Sequence, residues 1–174
     1  MPERASRCSA KSPIAFVWAG NFSFSGETQI DRAVQAFSYV LLLDPSLVWD
    51  SNHLGITRQE FRNRVARASN GRLIPVSQVA EIDRAASEFL FEIKYDFNVV
   101  FLDGEGNRAT RKMRTRFYIS EPPTFPNHFV GLHVHEKQIF PNDHSLENAM
   151  QNTEIDLAVK YYEAGRGDEW GIAP

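Results

Sequence analysis

The sequence predicts an α+β domain: an antiparallel β-meander of three main strands plus a short N-terminal strand, with helices packed on one face. Three observations carry that prediction. Phe91-Glu92-Ile93-Lys94-Tyr95-Asp96-Phe97-Asn98-Val99 alternates apolar and polar residues throughout, the period of a strand with one buried face. A glycine-bearing loop, Asp103-Gly104-Glu105-Gly106-Asn107, joins it to a second alternating run over 108–120. Upstream, Ile30, Val34, Phe37 and Leu41 recur at helical spacing instead.

Residues 1–12 are polar, small and basic and read as a flexible tail, before a single domain over 13–165 and a C-terminal tail over 166–174. Pro13 to Ala19 reads as the short first strand. A helix begins near Thr28, where Thr28-x-x-Asp31 is a relative of the capping box, and ends before Pro45. After a linking segment, Thr57-x-x-Glu60 is a second capping box and predicts a helix with Phe61, Val65 and Ala68 inward, stopped at Asn70-Gly71. A third helix is predicted from Pro75 or Ser77 to Glu88, with Val79, Ile82 and Ala86 inward.

In the meander, a hairpin in which Leu102 opposes Arg108 sets Ile93 against Phe117, Tyr95 against Thr115 and Phe97 against Met113 on the core side. Asp96 then faces Arg114, and Lys94 faces Arg116, on the outer side. Pro122, Pro123 and Pro126 break the chain before a third strand at 128–140, with Val130, Leu132 and Val134 inward and Phe129, His133, His135 and Lys137 outward. A closing helix over 145–164 turns Leu146, Met150, Thr153, Leu157 and Tyr161 inward and stops at Gly165. Folds that lay helices on a curved sheet, the cone-shaped NTF2-like type among them, share this element order.

A length of 174 residues suits one domain, and a net charge of −3 makes no case for nucleic acid or a membrane. The single cysteine, Cys8, forms no intramolecular disulfide, and without a CxxC pair a structural zinc site has no support. The run Ile14–Ala19 is short for a signal-peptide core and suits a buried strand, so the expectation is a cytoplasmic protein with no membrane partner.

Function is sought on the outer sheet face. Arg108, Arg111, Lys112, Arg114 and Arg116 share one strand, and Arg58, Arg62, Arg64, Arg67 and Arg72 cluster in and just after the second helix, so these ten of the 19 Lys and Arg residues fall in two short segments. One common positive face predicts a non-enzymatic binding or adaptor domain that contacts nucleic acid or an acidic protein surface. The contact residues are Lys112, Arg114, Arg116, Tyr118, Phe129, His133, His135 and Lys137, with Tyr118 and Phe129 stacking on bases or forming a homodimer interface. The plain alternative is that Glu92 and Asp96 neutralise the basic strand across the hairpin.

Two other readings start from the same face. His133 and His135, two apart on a strand, point the same way and with Asp143 and His144 of the next loop would offer a donor set for Zn²⁺, Fe²⁺ or Mn²⁺. That predicts a small metal-dependent hydrolase or oxygenase, though the spacing does not match an HExxH motif. Alternatively, a sheet curled over helices encloses a small-molecule pocket of cone-like type, lined by aromatic residues with Tyr95 and Arg111.

Overall fold

The computed structural model describes residues 4–20, 28–82 and 89–172. Among them, three α-helices and one five-stranded mixed sheet establish the α+β class. The chain runs β1 (Ala15–Trp18), α1 (Gln29–Leu43), α2 (Ser51–Ser69), β2 (Val79–Glu81), β3 (Leu90–Leu102), β4 (Arg108–Ser120), β5 (His128–Glu136) and α3 (His144–Gly165). Sheet order is β1-β5-β4-β3-β2, so the meander has four antiparallel strands rather than three, and β1 joins its β5 edge in parallel.

The β3–β4 register is the predicted one, with Ile93 opposite Phe117 and Leu102 opposite Arg108. Odd-numbered residues of this hairpin, Ile93, Tyr95, Val99, Met113 and Phe117, pack against α1 and α2. There the rings of Phe37 and Phe61 stack with centroids 4.2 Å apart. Thr28 caps α1 in a full capping box, its hydroxyl accepting from the Asp31 N–H while the Asp31 carboxylate accepts from the Thr28 N–H.

Helices occupy both faces of the sheet, not one. Leu90, Tyr118, Val130 and Leu132 form a second apolar patch on the other face, and α3 covers it with Ile155 and Ala158. The inward stripe of α3 is therefore turned away from the predicted one: Leu146 and Met150 are exposed. The reason lies in the sheet, whose face toward α3 is apolar at Leu90, Tyr118, Val130 and Leu132 but carries Glu92, Lys94, Asp96, Arg114 and Arg116 beyond them.

A bulge in β5 sets the facing of everything after it. Tyr118 opposes His133 but Ile119 opposes Gly131, so Leu132 is an extra residue. Leu132 and His133 both lie on the α3 side, and the alternation reverses around them. Phe129 consequently sits in the α1/α2 core with Val134, not on the outer face, while Val130 and Leu132 face α3.

Other predicted elements shift for local reasons. The third helix is replaced by β2, because Val79 to Glu81 pair with Phe91 to Ile93 and sheet pairing overrides helix spacing; residues 83–88 of that prediction lie outside the described residues. Helix α2 starts earlier, at Ser51, where the Asp50 side chain accepts from the His53 N–H at 2.8 Å. Thr57 is then internal, bonding the His53 carbonyl.

Neither described terminal segment is a loose tail. The buried Glu121 carboxylate accepts from the Ser6 hydroxyl at 2.5 Å and the Arg7 N–H at 2.9 Å, and Cys8 is fully buried. Burial and the Glu121 charge push the Cys8 thiol well above its ordinary pKa. At the other end Trp170 and Ile172 join the α3 core, with Trp170 Nε1 donating to the Tyr162 carbonyl at 2.9 Å. No described helix is long and apolar enough to cross a membrane.

Gly131 is required by packing: a Cβ there would lie 2.8 Å from atoms of both the Phe117 and Phe16 rings. Gly131→Ala is expected to lower stability by about 1–3 kcal/mol through overpacking, read as a shift in the urea midpoint at unchanged slope.

Candidate functional site

Strand β1 pairs only with His128 to Gly131, so among the described residues β5 beyond the bulge has a strand neighbour on its β4 side alone. At that edge the space between α1 and α3 opens into a cleft of about 620 Å³. Helix α1 contributes Ala36, Tyr39, Val40 and Leu43, one stripe at helical spacing. Helix α3 contributes Met150, Glu154, Leu157 and Tyr161 at the same kind of spacing, and β5 lays Leu132 to Glu136 between them. Tyr39, Leu43 and Met150 are large exposed residues of this lining.

The polar groups of the cleft fall in two sets. In the first, His133 Nε2 lies 2.6 Å from Glu154 Oε2. That bond, with the neighbouring imidazoles, holds the Glu154 carboxyl below its ordinary pKa although burial opposes it. His135 stacks parallel to His133 with centroids 5.7 Å apart, and its ring lies 5.1 Å from that of Tyr118. Burial lowers the His135 pKa to about 4, so it is neutral at pH 7. Its Nδ1 is 3.1 Å from the Glu136 carbonyl, which only accepts; the proton is therefore on Nδ1 and Nε2 carries a lone pair. That Nε2 is buried and has no hydrogen-bond partner among the described residues.

In the second set, Arg111 bridges Glu136 and the Asp44 carboxylate, the latter at 3.2 Å. The Ser46 hydroxyl first, and Arg111 after it, keep the Asp44 carboxyl below its ordinary pKa. A separate cavity of about 420 Å³ lies beside Trp170 and Tyr162, where Arg166 and Glu163 are exposed and paired with each other.

The residues predicted to form one basic face are divided by this architecture. Lys112 is exposed near the hairpin end, and Arg114 lies 3.9 Å from Asp96. Arg116 is 7% exposed and contacts both Asp96, at 2.7 Å, and Glu92, at 3.7 Å, so the acids of β3 neutralise the basic strand. Lys137 pairs with Glu147 of α3 at 3.2 Å. Tyr118 and Phe129 are fully buried on opposite faces of the sheet, which removes them as stacking platforms and as a homodimer surface. The arginines of α2 lie across the sheet from Arg114 and Arg116; Arg62 pairs with Asp31, and Arg64 sits over the Tyr95 ring at 5.8 Å.

Of the predicted metal donors only His133 and His135 come together. Asp143 caps α3, its Oδ1 accepting from the Leu146 N–H at 2.9 Å, and His144 is exposed on the first turn. Among the described residues no group of three or more His, Cys, Asp or Glu side chains is arranged to hold a metal ion. Tyr95, predicted to line a pocket, is instead packed in the α1/α2 core with its hydroxyl donating to Glu60 at 2.7 Å, whereas Arg111 does line the cleft.

Sequence reasoning missed Glu154 and the two carboxylates that Arg111 bridges, Asp44 and Glu136. The signal for Glu154 is its place in the 150, 154, 157, 161 series, a carboxylate inside a helical stripe that is otherwise Met, Leu and Tyr. Compared with protein-family models, curated proteins and solved structures, the chain matches none of them.

The His135 pKa makes the cleft acid-sensitive in a defined direction. Its folded value lies below its unfolded one, so as pH falls from about 6.5 to 4 the unfolded chain takes up the proton first and stability drops. The loss from this group reaches about 3 kcal/mol at the acid limit, and loss of the Glu154 charge below its unfolded pKa extends the fall. Urea unfolding across this interval is expected to show a shallower pH slope for His135→Phe than for the parent protein. Equal slopes would contradict the assignment.

Proposed function

We propose that this protein is a small-molecule binding protein whose mainly apolar ligand occupies the cleft between α1 and α3. One observation carries the reading: a cleft of about 620 Å³ with apolar walls from two helices and a few convergent polar groups along β5. Ligand sites usually enclose about 300–1,000 Å³ and combine apolar walls with a small number of placed polar groups. The buried titratable cluster adds support, since perturbed protonation states concentrate at functional sites.

A binding face for nucleic acid or an acidic protein has narrower support. It rests on Arg108 and Lys112, exposed at the end of the hairpin, and on the partly neutralised Arg114. Such a small basic tip favours weak, salt-sensitive contact over a tracked phosphate backbone.

Titration with Nile red, an uncharged apolar dye, tests the cleft directly. Saturable one-to-one fluorescence enhancement is expected, and Leu157→Trp, which fills the cleft from α3, should weaken it by about tenfold or more at unchanged thermal stability. A non-saturating response, or one that Leu157→Trp leaves intact, would contradict the reading. Salt-sensitive binding of an unstructured oligonucleotide without dye binding would favour the hairpin tip instead.

A further inference from the structure

We infer that the cleft selects ligands whose polar end donates hydrogen bonds, an amphiphilic amine above all, and disfavours carboxylates and other anions. The inference rests on the cleft being a ligand site and names the chemistry of its occupant. It follows from a count of charges and lone pairs. The carboxylates of Asp44, Glu136 and Glu154 all line the cleft. Among the described residues Arg111 is the one arginine or lysine of that lining, and Asp44 and Glu136 already share it. His133 is committed to Glu154 at 2.6 Å.

His135 points the same way by an independent route. It is 7% exposed and neutral at pH 7, its one N–H faces the Glu136 carbonyl, and its Nε2 has no partner among the described residues. It therefore brings neither a positive charge nor a free donor to the cleft. A carboxylate entering here meets acceptors and like charge; burying it without a cation is costly. An ammonium brings three donors and a charge opposite to that of Glu154 and Asp44, in surroundings where apolar walls strengthen the attraction. The aromatic rings of Tyr39 and Tyr161, also in the lining, suit a cation better than an anion.

Three probes of equal chain length test this: decylamine, decanol and decanoate, each competing with Nile red at pH 7.5. Decylamine is expected to displace the dye at a concentration about tenfold or more below that needed with decanoate, with decanol between them. Glu154→Gln keeps an acceptor for His133 but removes the charge, and Asp44→Asn does the same at the half-buried partner of Arg111; either should narrow the gap between amine and alcohol. Glu163→Gln, on α3 outside this cleft, should leave the order unchanged. Decanoate matching or exceeding decylamine while all three displace the dye would overturn the inference and leave the cleft reading standing. Displacement by none of the three would overturn both.

Discussion

The arrangement of this protein depends on one extra residue in β5. Strict alternation from Phe129 would send residues 131, 133 and 135 into the α1/α2 core, burying two imidazoles among Phe37, Phe61 and Phe117. The bulge at Leu132 prevents that. It lets Phe129 and Val134 fill one core and Val130 and Leu132 the other, while His133 and His135 emerge together beside α3. One irregularity thus completes two cores and creates the polar side of the cleft.

The same device explains the electrostatics. Two imidazoles stacked in parallel on one strand would repel if both were charged, and the fold separates their roles by giving Glu154 to one and burial to the other. A buried acceptor without a partner costs about 1–3 kcal/mol, which the aromatic α1/α2 core can carry. Across the cleft, Arg111 ties the end of α1 to β4 and β5 through Asp44 and Glu136. Its bonds fix one wall relative to the sheet, while α3 meets the sheet through a smaller set of buried residues.

Much of this can be read in the sequence where the signal is local. The β3–β4 register follows from alternation alone, because a slip of one residue would turn Ile93, Tyr95 and Phe117 outward. Thr28 and Gly165 mark helix ends for equally local reasons, and Asp96 opposite Arg114 already announces that the basic strand is neutralised. What escapes local reading is set by tertiary partners. Val79 to Glu81 carry a helical pattern but find an open edge of β3. A bulge has no signature in the alternation of β5, and the covering of the second face depends on how far α3 reaches. Glu154 matters only because that packing brings it to His133.

The central claim is therefore geometric: past the bulge, both imidazoles belong to the α3 side of the sheet. Nuclear Overhauser contacts from the ring protons of His133 and His135 measure it most directly. The account predicts cross-peaks to Leu157 and Tyr161 of α3. Cross-peaks to Phe37 and Phe61 in their place would mean that β5 alternates without interruption, and the cleft chemistry argued from its two histidines would not exist.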